Sequence, residues 1–240
     1  VRLLAITPPR GLAGYDELDP GLVDAWVEAG AATLGLAVLL REPGAGPRQI
    51  LEDPRLLPLR RALARHEIPA LLSVDPAAGS ASMIAAADPP LAGVQLRADP
   101  SLETCRSWRA ALGPGATIGR SVHGPTPGLP DPSVDYTCLA PIYAPNTRLP
   151  GEAKRPIGLD GLRAWAATCD ELIALGGIAA DNAAACLAAG ASGVAGIRLF
   201  FGRMAPTQDN VAALCQVFAS RGPARADGSD VSQAQARRRR

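Results

Sequence analysis

From Leu3 to Phe201, short apolar runs alternate with longer stretches of helical period, and this alternation restricts the fold more than any single motif does. Successive parallel strands must be joined by long crossovers, and a helix is the usual one. Eight runs read as strands: Leu3–Thr7, Thr33–Leu40, Ala70–Val74, Ala92–Leu96, Thr117–Val122, Asp135–Pro141, Glu171–Leu175 and Gly193–Ile197. Helices are expected over Pro20–Ala29, Gln49–His66, Leu102–Leu112, Leu159–Thr168, Asp181–Ala189 and Asp209–Ser220. Most of the strands are continuous apolar runs, the pattern of strands buried on both faces. The repeat predicts an α/β fold, a (β/α)8 TIM barrel forming a single domain over residues 1–220. One unit breaks the rhythm. Between the fifth and sixth strands, residues 124–133 hold four prolines and two glycines, which cannot sustain a helix. The barrel is therefore expected to lack a regular fifth helix, with a thin wall that a second copy in a homo-oligomer could cover.

With 48% hydrophobic residues in 240, the chain can bury a full core. A formal net charge of +1 provides no field to recruit nucleic acid or an anionic membrane. No apolar run of about 18 residues appears and the chain moves directly into its first strand, so neither a membrane span nor an export leader is expected. Five cysteines without C-x-x-C spacing suit reduced thiols and a cytoplasmic location. Residues 221–240 turn polar and small and end in Arg237–Arg240, which reads as a disordered, solvated tail rather than a nucleic-acid or lipid contact.

In a parallel barrel the chemistry sits at the carboxyl ends of the strands. One of only two histidines, His123, follows Ile118-Gly119-Arg120-Ser121-Val122 at such an end, whereas His66 lies among charges near a helix end. An imidazole there can take and return a proton, or can simply tie a loop carbonyl. Gly176-Gly177 and Gly196-Ile197-Arg198 close the seventh and eighth strands, where glycine lets backbone N–H groups approach a phosphate. Tight-turn glycines and a surface arginine are the plainer alternative. Arg41-Glu42 after the second strand can meet substrate or tie the loop by a salt bridge. Gln95, inside the fourth strand, can orient a ligand or bond a neighbouring strand. Thr147 and Arg148 lie in a proline-rich loop that reads either as a lid or as inert surface.

In these segments the sequence resembles the thiamine phosphate synthase/TenI superfamily, a group of phosphate-binding (β/α)8 barrels, over residues 3 to about 202. The likeness is borne by Ala5-Ile6-Thr7, Leu40-Arg41-Glu42, Gly93-Val94-Gln95-Leu96, Gly119-Arg120-Ser121-Val122-His123, Ala140-Pro141-Ile142-Tyr143 with Thr147-Arg148, Gly158-Leu159-Asp160-Gly161-Leu162, Ala174-Leu175-Gly176-Gly177-Ile178 and Ala189-Gly190-Ala191-Ser192-Gly193-Val194-Ala195-Gly196-Ile197. Ser121-Val122-His123 and Val94-Gln95-Leu96 are more similar to the TenI branch, the thiazole tautomerases. That resemblance implies an isomerase of thiamine biosynthesis that aromatises a carboxythiazole phosphate by moving one proton, without a cofactor. His123 matches the residue that moves it, Arg41 the carboxylate position and the glycines the phosphate site, and in such a site Gln95 and Ser121 would orient the substrate. Thiamine phosphate synthase is the alternative, and would need Mg2+. Only Asp75 remains of its Asn-Asp-Arg motif, and a second acidic ligand is at best Asp99. A barrel that binds thiazole or thiamine phosphates without turning them over is the third reading.

Overall fold

The computed structural model describes residues 1–12, 18–124, 126–127, 130–144, 155–201 and 207–220. Eight strands pair in parallel in the order of the chain and close into a barrel: β1 Leu3–Ile6, β2 Leu36–Leu40, β3 Ala70–Val74, β4 Gly93–Leu96, β5 Thr117–Val122, β6 Tyr136–Leu139, β7 Leu172–Leu175 and β8 Gly193–Gly196. The β1 to β8 pairing, Leu3 beside Val194 through Ala5 beside Gly196, completes the ring. Around it run α1 Gly21–Glu28, α2 Pro47–Leu51, α3 Leu56–Arg65, α4 Ala81–Ala85, α5 Leu102–Leu112, α6 Gly158–Ala166, α7 Ala180–Ala188, α8 Arg198–Phe201 and α9 Thr207–Ala219. No helix among the described residues is long and apolar enough to cross a membrane.

Two apolar layers hold this arrangement. The larger lies between sheet and helices and includes Val38, Leu40, Leu72, Trp108 and Trp165; there Trp26 of α1 meets Phe200 and Phe201 of α8 edge-on at 6.1 and 5.3 Å. The smaller fills the barrel, with Leu4, Ile6, Ala37, Leu39, Leu71, Tyr136, Cys138, Ile173 and Ala195. All five cysteines are free thiols.

Most elements begin and end within two residues of the sequence reading; two do not. The strand expected from Thr33 starts at Leu36, because Ala32–Leu34 form a 3-10 turn closed by left-handed Gly35. The single helix expected over Gln49–His66 is two. Pro54 offers no backbone donor, Asp53 accepts the Arg55 N–H at 2.9 Å, and the chain restarts as α3. The short α4 and α8 escaped the periodicity altogether, being too brief to show one.

Between β5 and β6 no helix is found among the described residues, as the prolines require. The crossing is held by Asp131, which accepts from the Ser133 backbone and hydroxyl and from Arg106 of α5. Trp165 of α6 donates to the Gly124 carbonyl at 2.8 Å and so covers the start of the same segment. Arg237–Arg240 lie outside the described residues.

Candidate active site

Side chains alternate along a strand, so the residues just past each carboxyl end inherit the facing of those before them. Ala37 and Leu39 of β2 fill the barrel and Arg41 follows in step. Gln95 and Ser121 are hydrogen-bonded across the β4–β5 seam, and Arg97 and His123 follow them on the same parity. Arg97 N–H still donates to Val74 O at 2.9 Å, carrying the ladder one residue beyond β4. Arg41, Arg97 and His123 therefore sit on the inward-facing rows at the barrel's carboxyl rim.

Beneath this rim lies a neutral polar floor. Gln95, buried in β4, donates from Nε2 to Ser121 Oγ at 2.9 Å and accepts from the Tyr136 hydroxyl at 2.5 Å. Its partners are side chains, not a neighbouring strand's backbone. Burial pushes the Tyr136 phenol well up and the Cys138 thiol up to about 12, so both stay protonated at neutral pH. Gly119 makes room for this floor: a Cβ there would stand 2.2 Å from the Tyr136 ring.

His123 is bound twice by one carboxylate. Its backbone N–H donates to Asp99 Oδ1 at 2.6 Å and its Nδ1 lies 2.9 Å from Asp99 Oδ2. The turn that brings Asp99 there is unusual, since Ala98 and Asp99 both hold positive φ, 63° and 51°. Two consecutive left-handed non-glycine residues cost free energy, and such strain clusters at functional sites. His66 is structural: it ends α3 and its Nε2 lies 2.6 Å from Asp24 of α1.

The Arg41-Glu42 pair divides between the two roles weighed for it. Glu42 ties the loop, accepting from Arg55 at 2.9 Å and from the Arg10 backbone at 3.0 Å. Arg41 is fixed instead through its backbone: its N–H donates to Thr7 Oγ1 at 2.8 Å, and that hydroxyl donates to the Arg41 carbonyl at 3.0 Å. Its guanidinium has no hydrogen-bond partner among the described residues. Burial first, and then the charge of Arg97, hold its pKa below the usual arginine range.

Gly176 and Gly177 at the end of β7 have φ of 96° and 65°. A Cβ would strike Pro141 at 2.6 Å from Gly176 and the Ala144 carbonyl at 2.7 Å from Gly177, so packing against the β6 loop alone demands glycine at both positions. The backbone N–H groups of Gly177, Ile178 and Ile197 nevertheless donate to nothing among the described residues, while Asn182 holds the Gly177 carbonyl at 2.9 Å. Gly196 ends β8, and α8 starts with Arg198, which is exposed as a surface charge would be. Thr147 and Arg148 lie outside the described residues.

The donor set fits magnesium poorly. Both Asp99 oxygens are engaged with His123, and Asp75 Oδ1 accepts the Ala77 N–H at 3.0 Å. Among the described residues no three His, Cys, Asp or Glu side chains converge, so a magnesium ion here would rest on one or two carboxylates and the phosphates of its ligand.

Arg97 and Tyr136 are the site residues that the sequence reading missed, and Asp99, weighed there only as a metal ligand, is instead the partner of His123. Counting by twos from Gln95 would have found Arg97; nothing local marks the turn that delivers Asp99.

A family model described as thiamine monophosphate synthase matches residues 21–200. A thiamine-phosphate synthase from Xanthobacter autotrophicus is 33% identical over 222 residues, 91% of this chain and 96% of that protein. One from Moorella thermoacetica is 41% identical over 98 residues, 39% of this chain and 45% of its relative, so that match spans less than half of the relative's length. Among solved structures, thiamine phosphate pyrophosphorylase from Pyrococcus furiosus superposes with a TM-score of 0.64 at 21% identity, over 91% of this chain and 96% of that one, a likeness of fold.

Proposed function

The chain belongs to the thiamine phosphate synthase/TenI superfamily, and from that membership we propose that it isomerises a carboxythiazole phosphate by moving one proton, with His123 as the shuttle. The bonding of His123 to Asp99 is the observation that supports this reading most directly. A carboxylate only accepts, so Nδ1 carries a proton and Nε2 keeps the lone pair. Aromatising a ring by tautomerisation removes a proton from a saturated ring carbon and adds one at the far end of the conjugated system. Nε2 takes the first proton, the ring electrons shift, and the imidazolium beside Asp99 returns a proton. No group leaves and nothing is oxidised.

The other residues bind and orient. Ser121 accepts from Gln95, which leaves its own hydroxyl proton to donate to the ligand ring. Arg41 suits the carboxylate, and the N–H groups of Gly177, Ile178 and Ile197, which have no partner among the described residues, suit the phosphate. Thr147 and Arg148 join this reading through the resemblance alone.

The named relatives favour a second reading, a transferase that makes thiamine phosphate. The family description does not separate the two branches, and the engagement of both Asp99 oxygens with His123 is what favours the isomerase. One pair of assays decides: conversion of the thiazole tautomer, and formation of thiamine phosphate from the two phosphorylated precursors with magnesium. The isomerase reading expects tautomer conversion that falls about 10²- to 10⁴-fold in His123→Ala. Equal rates for wild type and variant overturn the role of His123. Thiamine phosphate formation without tautomer conversion replaces the isomerase by the synthase, and tight binding with neither reaction leaves a non-catalytic barrel.

A further inference from the structure

We propose that Arg97 is a second guanidinium of the substrate-carboxylate subsite, acting with Arg41, so that the site selects a ligand bearing two separated acidic groups, a phosphate and a carboxylate. This rests on the thiazole phosphate reading above and adds a specificity-determining residue to it.

Three observations converge on Arg97. Its backbone extends the β3–β4 ladder, which fixes its side chain on the inward row directly above Gln95. Its Nε is buried and has no hydrogen-bond partner among the described residues, a state that costs free energy in a charged group. The nearby carboxylates are engaged elsewhere: Glu42 pairs with Arg55, Asp99 with His123, and Asp75 caps the Ala77 N–H. Arg41 is equally without a partner among the described residues, and the charge of Arg97 is felt at Arg41. Glu42 offsets part of this repulsion at Arg41, but its carboxylate is already paired with Arg55, so an anion arriving between the two half-buried guanidiniums is favoured. A planar carboxylate is the acceptor that a pair of guanidinium forks fits.

The position also suits the chemistry. Arg97 is two residues before Asp99, so the anion subsite and the partner of the base share one strand end. Drawing a proton from a carbon beside a carboxylate builds negative charge next to negative charge. Two guanidiniums on that carboxylate lower the barrier as well as select the ligand.

The test measures affinity by calorimetry for two probes, the carboxythiazole phosphate product and the thiazole phosphate lacking the carboxylate, in wild type, Arg97→Gln and Arg97→Lys. Wild type should prefer the carboxylated probe at least tenfold. Arg97→Gln should lose tenfold or more for that probe and less than twofold for the other, with Arg97→Lys between them. Equal losses for both probes, or none, overturn the proposal. If wild type binds neither probe, the functional reading fails, and the ligand-free Tm then judges Arg97 alone. An unpaired charge beside Arg41 destabilises the ligand-free protein, so Arg97→Met should raise Tm. An unchanged or lowered Tm means that Arg97 serves the fold, and the proposal falls.

Discussion

Asp99 shows how much a single side chain can set at this rim. Its two oxygens fix both the backbone and the ring of His123, so removing the charge should alter the base without disturbing the ligand pocket. Asp99→Asn should lower kcat about 10- to 100-fold while KM for the thiazole phosphate stays within about twofold, and Asp99→Glu should recover part of the loss. A purely structural role would instead appear as parallel losses of Tm and KM, and an unchanged kcat would remove Asp99 from the mechanism. In the sequence, His123 stood out because histidine is scarce and because the residues before it read as a strand. Arg41 and Glu42 were legible as a pair but not as two different roles, because the partners that take Glu42, Arg10 and Arg55, come from other loops. Asp99 was visible only as a weak metal ligand. The two left-handed residues that swing it onto His123 are an alanine and an aspartate, and only a glycine would have signalled such a turn.

At the scale of elements, the segment in place of a fifth helix is the part whose absence the prolines foretold and whose anchoring they did not. Asp131 organises it. Hydrogen bonds from the Ser133 hydroxyl and backbone, with Arg106 added, hold the Asp131 carboxyl below the usual carboxylate range despite the opposing pull of burial. A folded-state pKa below the unfolded one means that the stabilisation is fully present above the unfolded value of about 4, and is lost as pH falls through the folded value. Asp131→Asn should therefore cost about 1–3 kcal/mol in urea unfolding at pH 7. The gap between variant and wild type should close as pH falls below the unfolded value and through the lowered folded one. Asp53, whose carboxyl is also lowered, by Arg55 and Arg10 against burial, titrates in both proteins and cancels in the difference. A gap that persists unchanged at low pH would show that the anchor is not electrostatic. The broken helix at Pro54 is the matching lesson for regular elements. An amphipathic period runs on through a short interruption, so periodicity alone joined α2 to α3.

For the molecule as a whole, closing eight short strands into a ring makes each seam count, and the β4–β5 seam counts twice. Gln95 reaches Ser121 across it and Asp99 reaches His123 across it, so the floor and the base are both aligned by the spacing of two strands. Gly93 sets that spacing at the lower end. A Cβ on Gly93 would stand 1.9 Å from the Thr117 carbonyl oxygen and 2.6 Å from the Thr117 nitrogen, both backbone atoms that no rotamer change can move. Gly93→Ala must therefore push β4 and β5 apart, at a cost of about 3 kcal/mol or more. Gly113→Ala is the control: φ and ψ are 84° and 174° there but nothing lies within 4 Å, so backbone strain alone, about 1–3 kcal/mol, is expected. The two variants separate conformational strain from barrel closure when urea unfolding is compared. Activity supplies the other half of the test. If the seam aligns His123, the folded fraction of Gly93→Ala should turn over more slowly than wild type, whereas Gly113→Ala, at the end of α5, should keep the wild-type rate. A Gly93→Ala protein with wild-type stability and wild-type kcat would mean that the ring tolerates a wider seam, and that Asp99 and Ser121 hold the site together without help from the barrel beneath them.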